Sequence, residues 1–347
     1  MPETGNAKVY TFKNGEGEPD FTVLSSIDKD VEFRVQRAAL AAGSEVFQDM
    51  FSVCDVPDVS DVPDGDWENV ENVEGAKEKK QPDAGSTMTM AEDANVLRNL
   101  FRVLHDPPIS LPSATVMAKW VKLPHYMQGT GPAPPLDAAN AIPFPLLKKL
   151  FLLNDKYIFK PTMVATLHTH LAVHAFDEPL EVYAMSTILG IDDVAAFAST
   201  QLHSPPLESY SLDQISILPS ITSLHLLYQL HAVRRQRLCE VLAEEPLFPR
   251  GYGECPTKGH TEKAEEAWRK QKRILLSMGR IQAGADLSIE MMPVAVEVSG
   301  CVTCHKAYQA AIGMLQYKSA KIPQSISNLP EYKILKQTSA AVKRLVI

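Results

Sequence analysis

Apolar positions alternate near the start of the chain and recur at helical spacing further on. Phe21-Thr22-Val23-Leu24 is a β-prone run, Asp28-Lys29-Asp30 is turn-like, and in Val31-Glu32-Phe33-Arg34-Val35 apolar and charged residues alternate. That order predicts a β-hairpin. From Ala38 to Phe51, Leu40, Val46, Phe47, Met50 and Phe51 stand mostly three, four or seven apart, with Gly43 and Ser44 as the weak helix formers. One or two short helices packed on the hairpin are expected. After the Thr87–Met90 run, Val96, Leu97, Leu100, Phe101 and Leu104 predict a helix over 94–105, preceded by Glu92 and Asp93 and stopped by Pro107-Pro108. The same spacing predicts helices over 144–157, 161–174, 179–189, 192–202, 220–243, 261–276 and 305–316. Strands come first and helices later, with no βαβ rhythm, so the fold class is α+β.

Two stretches break this pattern. Asp55 to Ala76 holds eight carboxylates and no basic residue, and Pro107 to Pro145 holds nine prolines in 39 residues. Neither can bury enough apolar surface to offset its ordering entropy, so disordered insertions are expected at about 53–86 and 107–143. The acidic block accounts for a net charge of −8 over 347 residues and leaves the rest near neutral. This balance disfavours nucleic acid as the main partner. The best apolar run, Phe144–Leu153, is interrupted by Pro145, Lys148 and Lys149, so no membrane span is expected, and Met1–Tyr10 carries no readable secretory signal. The expected setting is intracellular, cytoplasm or nucleus.

Asp20-Phe21-Thr22-Val23-Leu24-Ser25-Ser26, and then Phe33 through Phe51 with Leu40 and Ser44-x-x-Phe47-x-x-Met50-Phe51, resemble the opening of a BTB (POZ) domain, in which a second strand ends in a basic pair. Gln36 stands where that family usually has His. Leu153-Asn154-Asp155-Lys156-Tyr157 resembles the family's Ala-Asp-Lys-Tyr segment, and Glu181–Gly190 resembles the helix before its end. The resemblance implies a small sheet capped by paired helices over 18–203, after an extension at 1–17 and before a helical region at 204–347. It further implies a non-enzymatic role in homo- or hetero-association, similar to fungal members with a Cys-containing C-terminal helical region. Recruitment of a cullin ubiquitin ligase is a minority outcome, because the hydrophobic-x-Glu signature that accompanies it finds no convincing match in the proline-rich stretch.

Of five cysteines, Cys54 edges the acidic block, while Cys239, Cys255, Cys301 and Cys304 fall in the last third. Cys301-Val302-Thr303-Cys304 has the two-residue gap that lets both thiolates reach one tetrahedral zinc. Cys255-Pro256-Thr257-Lys258-Gly259-His260 offers a second pair across a turn. The candidate metal set is therefore Cys255, His260, Cys301 and Cys304, with Cys239 or His305 as alternates; unligated cysteines in a helical domain are the competing reading. Cys301–His305 also matches a c-type haem attachment motif, which the absence of a signal sequence disfavours, and a thioredoxin-like role lacks its βαβ setting. His168, His170, His174, His225 and His231 are expected to be packing or surface groups. The runs Arg234–Arg237 and Arg269–Arg273 are expected on solvated helix faces, the alternative being phosphate contacts in a nucleic-acid-associated regulator with a zinc module. No catalytic set, and so no enzyme or small-molecule substrate, is read from the chain.

Overall fold

The computed structural model describes residues 8–15, 17–54, 87–121, 140–248, 255–277 and 279–345, with the side chains of Cys54, Trp120, Val121 and 338–345 left aside. The acidic block and the middle of the proline-rich stretch lie outside these residues. The chain divides into two compact units, Met1–Leu111 with Asp137–His170, and Pro112–Leu136 with Leu171–Ile347.

The first unit is built on a four-stranded sheet: β1 (Lys8–Thr11), β2 (Phe21–Ser25), β3 (Val31–Val35) and, after helices α1 (Arg37–Gly43) and α2 (Glu45–Cys54), β4 (Thr87–Met90). Its order is β1-β3-β2-β4. Strands β2 and β3 form the expected antiparallel hairpin, pairing Val23 with Phe33, while β4 runs parallel to β2 and β1 parallel to β3. Alternation puts Phe21, Val23, Phe33 and Val35 inside. Strand β1 lies in the segment read as an N-terminal extension; its four residues carry only a weak alternation, and it is held from outside, with Tyr10 stacked on Phe33 at 5.5 Å.

The break between α1 and α2 falls at Ser44, whose hydroxyl donates to the Tyr157 carbonyl and whose extended backbone bridges Phe159. Helix α3 (Ala94–His105) occupies the predicted span and is capped by Asp93, which accepts from the Asn95 and Val96 N–H groups at 2.9 Å each. It buries Leu97, Leu100, Phe101 and Leu104. Helix α4 (Ala114–Val121) belongs to the second unit. It lies inside the stretch expected to be an insertion, and Met117 there is fully buried, so proline density marked its surroundings and not its whole length.

Back in the first unit, α5 (Phe144–Tyr157) buries Phe144, Leu147, Leu150, Phe151, Leu153 and Tyr157, and α6 (Pro161–Val173) begins at its proline. Full burial of each such side chain contributes about 1.5–3 kcal/mol relative to exposure.

In the second unit follow α7 (Pro179–Leu189), α8 (Asp192–Gln201), α9 (Leu212–Ile215), α10 (Ile221–Glu244), α11 (His260–Ser277), α12 (Leu287–Glu290), α13 (Met292–Val298), α14 (Val302–Ser319) and α15 (Pro330–Leu345). The residue pair 203/204, the expected end of the BTB-like region, lies within this unit. Bonds from both sides explain the grouping: the Tyr183 hydroxyl donates to the Ser223 carbonyl at 3.0 Å, the Ile326 N–H donates to Ser199 Oγ at 3.1 Å, and Asp192 pairs with Lys336. No helix among the described residues is long and apolar enough to cross a membrane.

Candidate metal centre

Four side chains converge where α11 and α14 begin. The ligating atoms of Cys255, His260, Cys301 and Cys304 all lie within 4.8 Å of one another, a grouping that can hold a metal ion. Cys255 is buried just ahead of α11, and its N–H donates to Thr261 Oγ1 at 3.2 Å. The chain then turns back on itself: the His260 N–H reaches the Thr257 carbonyl at 3.1 Å, and Gly259 takes φ +77°, a conformation side chains rarely adopt. That reversal brings the imidazole to the sulfur five positions earlier.

The other half comes from the start of α14. Cys301 is its N-cap residue, with its carbonyl accepting the His305 N–H at 2.9 Å, and Cys304 sits in the first turn. One helical turn places both sulfurs on the same side. Val298, Cys304, Tyr308, Trp268 and Cys255 share one apolar cluster, so the cysteines sit at the rim of a packed core. Trp268 meets Tyr308 edge-on at 6.4 Å and anchors its indole N–H on the Glu245 carbonyl at 3.0 Å.

The sulfurs differ electrostatically. The Cys304 backbone N–H, with help from the side chains of His260 and Cys255, pulls the Cys301 thiol down to about 6, while burial pushes Cys304 up to about 12. A thiolate at a helix N-terminus also faces the positive end of the macrodipole. Cys255 Sγ and Cys301 Sγ are 3.4 Å apart, and both, like Cys239 and Cys304, are free thiols. Sulfurs bound to one tetrahedral zinc at ~2.3 Å stand ~3.8 Å apart, so the donors need little adjustment to meet such an ion. Four protein donors leave no open coordination position, which suits a structural ion and not a catalytic one.

The alternates lie outside the grouping. Cys239 is half-buried on α10 against the same apolar cluster. His305 stacks on Tyr308 at 6.2 Å and shares a 3.1 Å contact between its Nε2 and Gln309 Nε2. His170 is fully buried: its Nδ1 accepts the Ile142 N–H at 3.1 Å, so its Nε2–H donates to the Ile109 carbonyl at 3.0 Å. It is a packing group. His168 stacks on Phe151 at 6.0 Å. His231 Nε2–H donates to the Leu202 carbonyl at 2.8 Å, and His225 is exposed.

The basic runs divide. Arg269 and Arg273 pair with Glu265 and Glu266 on the solvated face expected of α11. Arg234 departs from that expectation: it is buried and donates to the carbonyls of Ala283 and Pro323 and to Gln324 Oε1, each at 2.9 Å. Burial lowers its guanidinium to about 10. The sequence missed this strut because its acceptors are backbone carbonyls 49 and 89 residues away. It also passed over Thr261, which fixes Cys255; the signal was its place next to the candidate ligand His260. No protein-family model, curated protein or solved structure matches the chain.

Proposed function

We propose that the protein is a non-enzymatic association module, BTB-like in its first unit, whose second unit is clamped by a structural zinc ion. The observation that carries the association reading is where the segments of resemblance fold. Asp20–Ser26 and Phe33–Phe51 become the β2–β3 hairpin and the paired helices α1 and α2, and Leu153–Tyr157 ends α5 in the same unit, whereas Glu181–Gly190 falls at α7 in the second unit; the first three segments support the small sheet with helical caps that the resemblance implies. Strands β1 and β4 are the two short edges of that sheet, and unpaired strand edges are templates for pairing with another chain. Arg234 in a buried strut and Arg269 and Arg273 in ion pairs weigh against the nucleic-acid alternative. The zinc reading rests on three sulfurs and one imidazole within 4.8 Å.

Two measurements test this. Light scattering over a concentration series is expected to give a mass above 38.3 kDa that persists at high salt, as an apolar or strand-edge interface should. A concentration-independent monomer with no partner in a pull-down sinks the association reading. Metal analysis is expected to find about one zinc per chain, lost in Cys301→Ala; metal near zero in the reduced wild type sinks the zinc reading.

A further inference from the structure

We infer that Cys255 and Cys301 are a reversible disulfide couple whose formation expels the metal, an inference that rests, for the metal half, on the zinc reading above. The sulfurs already stand 3.4 Å apart although 46 residues separate them in sequence. They have to close by about 1.4 Å to reach the ~2.05 Å of a disulfide bond. The three sulfurs are not equally reachable: Cys255 and Cys304 are buried at 8% and 2% exposure, and Cys301 is half-buried. Cys301 is therefore the sulfur that a small peroxide meets first.

The chemistry closes with a peroxide as oxidant. The Cys301 thiolate attacks one peroxide oxygen; the S–O bond forms as the O–O bond breaks, and hydroxide leaves. The Cys255 thiolate then attacks that sulfenic sulfur, the S–S bond forms, the S–O bond breaks, and a second hydroxide leaves. Two electrons pass from the sulfurs to the peroxide, which ends as two waters after taking two protons from solvent. The bridge consumes two of the four donors. His260 and Cys304 remain, half of the four that a structural zinc site uses, so bridge and ion exclude each other. The Cys301–Cys304 pair is the competing bridge. Its second sulfur is the more buried one, whereas Cys255 and Cys301 meet in a 3.4 Å sulfur contact with hydrogen-bond geometry.

The test uses the full chain, reduced, freed of reductant under inert gas and treated with stoichiometric hydrogen peroxide. Released zinc is read with a chromogenic chelator, and the bridge by mapping non-reduced peptides. The expected result is one zinc released per Cys255–Cys301 bridge, reversal by dithiothreitol plus zinc, and no bridge in Cys255→Ser. Wild-type protein stripped with a chelator is expected to form the same bridge at least tenfold faster, a measurement that does not depend on any variant folding. A Cys301–Cys304 bridge, sulfinic acid without a bridge, or zinc retained beside the bridge would overturn the inference. A reduced protein without zinc that still forms the bridge overturns the zinc reading and the exclusion with it, and leaves the couple standing.

Discussion

At the scale of single residues, Arg234 carries the clearest energetic consequence. Its guanidinium is buried with three neutral acceptors, Ala283 O, Pro323 O and Gln324 Oε1. Removing the donor leaves the buried Ala283 carbonyl unpaired, and unsatisfied buried groups cost about 1–3 kcal/mol each, while the half-buried Pro323 and Gln324 oxygens lose a partner at smaller cost. Arg234→Met is expected to lose about 3 kcal/mol by urea unfolding, and Arg234→Lys to recover little of it, because one ammonium cannot reproduce the planar fork. The same neighbourhood sets a pH dependence. Burial, reinforced by the charge of Arg234 and by His231, depresses His203 to about 3, and burial also lowers His231. With an unfolded value near 6.5, the unfolded chain takes up protons that the folded one refuses, so stability falls as pH drops from about 7 toward 3. Each refused proton contributes a slope of about 1.4 kcal/mol per pH unit. In His203→Gln the loss of stability between pH 7 and pH 5 is expected to shrink measurably; an unchanged slope would assign the acid sensitivity to other groups.

At the scale of elements, the contact between α1 and α3 has no spare room. A Cβ on Gly43 would overlap the Cδ2 methyl of Leu104, itself 3% exposed. Gly43→Ala is expected to cost about 1–3 kcal/mol in thermal or urea unfolding through overpacking, despite the higher helix propensity of alanine. This is also where sequence and structure agree best. The α3 stripe, the β2–β3 alternation and the weak point at Gly43-Ser44 were legible because each element's period, cap and breaker lie within its own dozen residues. Strand β1, helix α4, the short helices α9, α12 and α13, and the longer α15 were not read from the sequence. All but the 16-residue α15 are four to eight residues long, too short to display a period, and β1 is held by a partner distant in sequence, Tyr10 lying on Phe33. The candidate ligands show the same division. Cys301-x-x-Cys304 declared itself by spacing and Cys255–His260 by the Pro256 and Gly259 between them, whereas the nearness of the two pairs depends on how α11 and α14 begin side by side.

At the scale of the whole molecule, the chain forms two compact units, and the Cys/His grouping found among the described residues lies in the second. Metal binding stabilises the state that holds the site, by RT ln(1 + [L]/Kd) for free metal in excess. That gain reports on the segments whose opening breaks the site. These are the Cys255–His260 turn, the first turns of α11 and α14, and the cluster of Trp268, Val298 and Tyr308 behind them. Chelation is therefore expected to be local in effect. Amide hydrogen exchange over 255–277 and 298–308 should accelerate by tenfold or more when zinc is stripped, while β2, β3 and α3 keep their protection, because all four donors of the grouping belong to the second unit. Segment-resolved exchange by mass spectrometry, with and without chelator and again after zinc is restored, makes the comparison within one sample. Equal acceleration in both units would mean that the ion stabilises the chain as one cooperative body. Unchanged exchange around Cys301 would mean that the grouping holds nothing.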